Sequence, residues 1–455
     1  MAESTESGRS PAEFQREAEL LRAFELLGRT VDLAVADRLC PAGANAVFTT
    51  SVTLWMLVFQ RMNTDSTLEA AVQRLLANPP PFLPTTKRTG QLSDRTGGYS
   101  RARQRLPLEM VNWLCEQVAQ SLIDVLPASF AGRRVFVIDG TTVTLAPEPA
   151  LRQAFPPAKN QHGRGAWPVA QLVMCHELAS GTALAPEIGP KCGPHAVSET
   201  TLIHRHLDRL PGDAIVMADA GFGILGVAYA VKRSGRDFVL RLSAQRWHAL
   251  VKRATLISNT AAGRTYALTW RPTAAEQLKW GLSDDVALEV WLHEIPVHDG
   301  LTVYLVTSLP QSAAELGALY QQRGEIEIDI RNFKIVLGGE HLPARSLEMF
   351  QKELLGSVIA YNLVTQFRRQ AAKKAGVEPR DISFKRTWTT FLLHLLNKTA
   401  TTAEQWQAAY DRALGYAAGH KLPNRPGRSY PRETYTRRDK SVSFQKREPR
   451  GPTHP

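Results

Sequence analysis

The spacing of apolar residues changes character several times along the chain. Over residues 11–76 and 107–126 apolar positions recur at three- and four-residue intervals, which predicts amphipathic helices. The stretch between them, "NPPPFLPTTKRTGQLSDRTGGYS", is rich in Pro, Thr and Gly and reads as an exposed loop. After residue 131 the pattern turns to short apolar runs rich in β-branched residues: "RVFVIDGTTVTL", "VAQLVMC", "AIVMADAGFG" and "DFVLRL". A helical stretch, "FGILGVAYAVKRSG", separates the last two, and such alternation predicts an α/β sheet. Residues 243–300 break the scheme with Trp247, Trp270, Trp280 and Trp291 in polar, strand-like surroundings, the pattern of a β-rich insertion, before "LTVYLVTS" resumes an apolar strand. From Ser346 onward two further amphipathic helices are predicted, with Arg and Lys gathered at their ends. The final stretch is basic and Pro-rich, a composition that favours disorder.

Ser312 to Leu337 contains the densest charge pattern, "YQQRGEIEIDIRNFK". Its alternation of acid and isoleucine imitates a strand. Leu316, Leu319, Ile326, Ile330 and Phe333 nevertheless keep helical spacing and no Pro interrupts them, so one helix is predicted. At about 100° per residue from Tyr320, Arg323 falls at about 300°, Glu327 at about 340° and Lys334 at about 320°. The four share a face, and Glu325 and Asp329 point elsewhere. A salt-bridged surface helix produces the same pattern.

The length, 455 residues, and 44% hydrophobic content are ample for two or three domains with buried cores. The N-terminus has no apolar signal core, and the longest apolar run, around "LWMLVF", is too short to span a bilayer; the expected location is the cytoplasm. Cys40, Cys115, Cys175 and Cys192 form no CxxC pair, so neither a disulfide framework nor a zinc knuckle is indicated. "CHE" at 175–177 and "HRH" at 204–206 offer metal-ligand types but equally suit packing or surface positions. The formal charge of +12 is unevenly spread: residues 1–130 carry 13 Lys/Arg against 14 Asp/Glu, residues 131–330 carry 19 against 19, and residues 331–455 carry 23 against 10. A basic region of this kind suits a polyanion partner, since each neutralised phosphate releases counterions; a solubilising tail is the alternative. In "GGYSRARQRLP", Tyr99 beside Arg101, Arg103 and Arg105 suits gripping a backbone and stacking on a base, or a solvated helix start.

Two predicted strands end at an acid followed shortly by Gly, Asp139 in "VFVIDGTT" and Asp219 in "IVMADAGFG". Strand-end carboxylates can meet at one sheet edge, and with Glu327 they make three hard-oxygen ligands suited to Mg²⁺. Two such ions about 3.5–4 Å apart can activate a hydroxyl and stabilise the leaving oxygen in displacement at phosphorus. Arg323 and Lys334 would then hold phosphate, and Tyr320 would add a hydroxyl bond or a stacking surface.

These residues resemble the DDE transposases of the insertion sequence four family. That family carries tyrosine, two residues, arginine, three residues, glutamate, six residues and lysine, a pattern matched by Tyr320, Arg323, Glu327 and Lys334. Asp139 resembles the family's first acid, after a strand and before small polar residues. Asp219 resembles its second, in an Asp-x-Gly-Phe pattern. The likeness covers roughly residues 40–370.

The resemblance implies an α/β, RNase H-like catalytic core over residues 131–342, with the β-rich insertion at 243–300. It also implies an all-helical N-terminal DNA-binding domain over 1–130; the apolar pattern adds a helical region over 343–420, and composition a basic tail over 421–455 that lies outside the likeness. It further implies Asp139, Asp219 and Glu327 as catalytic metal ligands for two Mg²⁺, with Mn²⁺ as a substitute, and Tyr320, Arg323 and Lys334 as DNA contacts. Expected partners are double-stranded DNA, as terminal inverted repeats and as target, and a second copy of the chain on that DNA. No membrane is expected, and the location becomes the bacterial nucleoid. The implied reaction is cut-and-paste transposition through a hairpin, in which Trp291 or Trp270 would stack a flipped base, with a core role as the alternative for each. A non-catalytic DNA-binding descendant and a structure-selective nuclease with the same core remain open alternatives.

Overall fold

The computed structural model describes Leu27 and residues 30–423 apart from positions 64, 78, 81, 161–162, 298–299, 337, 340–341 and 394–402. The extreme N-terminus and nearly all of the basic tail lie outside the described residues.

The sheet begins with β1 (Val135–Thr144), β4 (Val169–Glu177) and β5 (Glu187–Pro190), which pair antiparallel. A small hairpin, β2 (Lys159–Asn160) and β3 (Gly163–Arg164), intervenes. Then β6 (Ile215–Ala218) pairs parallel to β1, and β7 (Asp237–Arg241) parallel to β6. The last strands are β8 (Thr255–Thr260), β9 (Gly263–Trp270), β10 (Leu288–Pro296) and β11 (Thr302–Thr307). Among the described residues they form one nine-stranded sheet in the order β5-β4-β1-β6-β7-β11-β10-β9-β8.

Both faces of the sheet are covered, which explains the unbroken apolar run before Asp139. Val135 and Val137 enter one core with Met217, Val239 and the helices. Phe136 and Ile138 enter the other with Val216 and Leu240, beneath helices Glu199–Leu207 and Leu225–Arg233. The segment 243–300 does not close on itself: β11 pairs with β7, so β8 to β11 prolong the same sheet. Helices Ala244–Val251 and Ala274–Trp280 interrupt its strands.

The first core also contains the 29-residue helix Leu347–Ala375, against which helices Thr50–Met62 and Leu108–Asp124 pack. The helix Thr50–Met62 is buried along its whole length, so "LWMLVF" is core. Burial on every side forces its Arg61 to find partners. The guanidinium donates to Ser357 Oγ at 2.9 Å and to the Gly338 carbonyl at 3.1 Å.

Two readings of the basic residues need correction here. Tyr99 is fully buried on helix Gly97–Arg105 and donates to Gln60 Oε1 at 2.9 Å; Arg103 pairs with buried Glu353 at 2.5 Å. Neither is placed to stack on or grip DNA, because this helix closes onto the core; Arg101 and Arg105 stay exposed. Likewise part of the C-terminal charge excess is internal. Lys352 donates to the carbonyls of Arg103 and Gln104, Arg369 to that of Leu122, and Arg368 is buried.

Candidate active site

The parallel pairing of β1 with β6 aligns Ile138 with Ala218, which sets Asp139 and Asp219 side by side at the next position. The strand-end reading holds for Asp219 and is corrected for Asp139. β1 continues through Thr144, because Gly140 to Thr144 keep pairing with β4 after β6 has ended. Asp139 therefore stands inside a strand, at the edge left by its shorter neighbour. Each acid braces a following amide: Gly140 N–H donates to Asp139 Oδ1 at 2.8 Å, and Gly221 N–H to Asp219 Oδ1 at 2.9 Å. The glycines have steric reasons. A Cβ on Gly140 would lie 2.1 Å from the Glu199 carboxyl carbon, and one on Gly223 only 2.0 Å from the Arg241 carbonyl oxygen. Arg246 closes the same loop by donating to the Ala220 carbonyl at 2.6 Å.

The segment carrying Glu327 is helical throughout but is not one regular α-helix. Ser312 caps Ala313–Gln321 in a capping box with Glu315, a 3₁₀ turn covers Gln322–Gly324, Glu325–Arg331 is α-helical, and Asn332–Val336 is a π turn. Gly324, a poor helix former, sits at the first join. A uniform 100° rotation does not apply across these joins. The side chains of Tyr320, Arg323, Glu327 and Lys334 still face the sheet edge.

One guanidinium gathers the three acids. Arg323 Nη2 lies 3.0 Å from Asp139 Oδ2 and 3.9 Å from Asp219 Oδ2, and Nη1 lies 2.6 Å from Glu327 Oε1. Glu327 is about half exposed, whereas Asp139 is mostly covered. Burial, aided by Asp219 and Glu327, pushes the Asp139 carboxyl up to about 6 against the opposing pull of Arg323 and the Gly140 amide. Formally three carboxylates face one guanidinium here, although Arg323 counters more of the Asp139 shift than either neighbouring acid adds. Tyr320 is buried next to the cluster, its phenol pushed up to about 12 by burial despite Arg323 and Arg241, and its hydroxyl has no hydrogen-bond partner among the described residues. Lys334 donates to the Thr142 carbonyl at 2.9 Å and lies 3.3 Å from Thr141 Oγ1, on the part of β1 beyond Asp139. From there a cleft of about 1500 Å³ opens between the sheet edge and the N-terminal helices, with Lys334, Thr142, Trp167 and Arg345 in its walls.

Among the described residues no three Asp, Glu, His or Cys side chains close around one point. The donors still fit a divalent cation in kind: three carboxylates with excess negative charge, and no thiolate or imidazole among them. Arg323 now stands where their charges meet. The histidines singled out in the sequence are not ligands of this cluster: His206 Nε2 donates to the Val173 carbonyl at 2.9 Å, His204 stacks on Trp280, and His176 is buried within strand β4. Trp270 and Trp247 belong to the core on the opposite face. Trp291 is half-buried, and it alternates with Val290 and Leu292 of that opposite core, so it shares the sheet face of Asp139 and Asp219. Sequence reasoning missed Arg246, Glu199 and, behind the glutamate helix, Arg380. Nothing in their local sequence marks them.

A transposase DDE domain is matched over residues 130–363, about half of the chain. The chain is also 24% identical, over 73% of its length and 74% of the relative's, to Transposase InsG for insertion sequence element IS4 of Escherichia coli K12. It is 28% identical, over 36% of its length and 54% of the relative's, to the protein named "Putative transposase InsZ" from the same strain.

Proposed function

The chain belongs to the DDE transposases of the insertion sequence four family, and from that premise we propose that it moves its element by cutting and pasting double-stranded DNA. The observation that carries this is the single guanidinium of Arg323 touching Asp139, Asp219 and Glu327, which brings three acids from distant parts of the sequence to one sheet edge. The strand order, with β5, β4 and β1 antiparallel and β6 and β7 parallel to β1, supports an RNase H-like core.

In this reading Asp139, Asp219 and Glu327 hold two Mg²⁺, or Mn²⁺ in substitution. The bound cations would supply an activated hydroxyl and charge stabilisation for the leaving oxygen. Arg323 and Lys334 hold the scissile phosphate by charge-assisted hydrogen bonds. Tyr320 gives its unpartnered hydroxyl to a phosphate oxygen, which relieves a buried donor. Arg323 thereby exchanges carboxylate for phosphate when DNA arrives. Water displaces the 3′-oxygen at the element end, the freed 3′-hydroxyl attacks the opposite strand to close a hairpin, water opens it, and the 3′-hydroxyl joins target DNA. Each step is the same displacement at phosphorus with a different nucleophile.

Two ends must be cut together, so a homodimer on DNA is proposed, with the bacterial nucleoid as its place. Among the described residues no helix is long and apolar enough to cross a membrane. Incubation with Mg²⁺ and a plasmid carrying the flanking inverted repeats tests the proposal. Strand-transfer products are expected. Hydrolysis alone would make the protein a nuclease, and binding alone an inert descendant.

A further inference from the structure

Helix Glu325–Arg331 has seven residues and lies between a 3₁₀ turn and a π turn, so helix continuity on neither side fixes its rotation. What fixes it must come from contacts along its flanks. Ile326 and Ile330 are buried against the core, but apolar contact is non-directional. Arg323 reaches Glu327 itself from the preceding turn, and a second set of directional contacts holds the helix from the side opposite Glu327. Arg380, on the short turn Pro379–Asp381 after the 29-residue helix, sends Nη1 to Asp329 Oδ2 at 2.9 Å and to Glu325 Oε2 at 3.1 Å. Those are the acids two positions either side of Glu327.

Asp329 is fully buried, and His176 Nδ1 of β4 stands 3.8 Å from the same oxygen. Burial favours the neutral imidazole, so Arg380 is the cation that compensates Asp329. His176 is paired in register with Val137 of β1, two residues from Asp139. The contact thus ties the back of the glutamate helix to the strand pair that carries the first acid. A buried ion pair contributes little net stability compared with apolar packing, but its hydrogen bonds impose direction.

We infer that Arg380, through Glu325 and Asp329, is a positioning residue that sets the rotation of the helix bearing Glu327 and so holds the third acid in register with Asp139 and Asp219. The inference rests on the reading of those three acids as metal ligands. It gives the two acids that flank Glu327 a function distinct from its own.

The test uses the full chain with an element-end duplex and Mn²⁺ followed by electron paramagnetic resonance, beside end nicking as a function of metal concentration. The double variant Arg380→Gln/Asp329→Asn removes both charges, so neither is left buried alone. It is expected to keep wild-type DNA affinity while the Mn²⁺ concentration for half-saturation rises about 10-fold, the lower end of the loss usual when support around metal ligands is removed. Nicking should recover at high metal in this variant and stay absent in Glu327→Gln. Arg380→Lys, which keeps a donor cation, should restore most of the metal affinity. If the double variant does not fold, partly exposed Glu325→Gln decides the matter with an expected rise of a few-fold, and wild-type Mn²⁺ affinity in it overturns the inference. Wild-type affinity in a folded double variant does the same. Unchanged Mn²⁺ binding in Glu327→Gln would instead defeat the metal-ligand reading itself.

Discussion

Substituting Asp139 by Asn should abolish nicking and yet make the metal-free protein more stable above pH 6. The carboxyl is pushed from 3.8 up to about 6, chiefly by burial and secondarily by Asp219 and Glu327. A raised folded pKa means that the stabilising contribution is fully present below the unfolded value and is lost as pH rises through the folded one. The wild type therefore carries, at pH 8, a penalty of about 3 kcal/mol for ionising Asp139 in place, from about two pKa units at about 1.4 kcal/mol each. Asn does not ionise and escapes that penalty, and it can still accept from Arg323. In EDTA at pH 8, urea unfolding followed by the fluorescence of the nine tryptophans should place the variant up to about 3 kcal/mol above wild type. The gap should narrow as pH falls through 6 and vanish below about 4. Mg²⁺ at about a thousand times Kd should reverse the order, because binding stabilises only the chain that binds, by about 4.1 kcal/mol. A variant less stable than wild type at pH 8 in EDTA, or a gap independent of pH, would refute the reasoning.

Glu327→Gln should eliminate Mg²⁺-dependent nicking with DNA affinity intact, whereas Glu325→Gln should keep most nicking at saturating metal; equal loss in both would mean that the wrong acid was chosen. Asp329→Asn leaves Arg380 with Glu325 as its one carboxylate partner among the described residues, so it should keep nicking at high metal but lose about 1 to 3 kcal/mol of stability, read by urea unfolding. Trp270→Ala opens a core cavity and should cost about 3 to 5 kcal/mol, while half-buried Trp291→Ala should cost less and, if Trp291 stacks a flipped base, accumulate nicked ends without hairpins. Normal hairpin yield in Trp291→Ala would move that role to another residue. Removing residues 421–455, which hold 10 Lys/Arg against 3 Asp/Glu, should flatten the slope of log affinity against log salt by about 0.9 for each phosphate that the shortened chain leaves un-neutralised; an unchanged slope would show that the tail does not touch DNA.

Local order was legible from the chain alone, because it depends on neighbours a few residues away. The helical segments around the sheet and the apolar strands before Asp139 and Asp219 follow from spacing. So does the common face of Tyr320, Arg323, Glu327 and Lys334, since short runs of helix between the irregular turns keep these side chains on the sheet side. Periodicity did not foresee the 3₁₀ and π turns themselves, whose rotations differ too little to show in a pattern of apolar positions.

What only the tertiary structure decided is which distant residues share a place. Asp139 and Asp219 are 80 residues apart and adjacent because β1 and β6 pair in parallel at one register. Tyr99 and Arg103 look like a DNA grip in "GGYSRARQRLP" but face Gln60 and Glu353 once their helix meets the core. Arg380 sits in a stretch, "VEPRDISF", with no signal of its own, and gains its role from two acids more than 50 positions earlier. Sequence spacing reports neighbours within a helix or a strand. The energy of burying a charge depends on what stands beside it, and that is fixed by packing between elements.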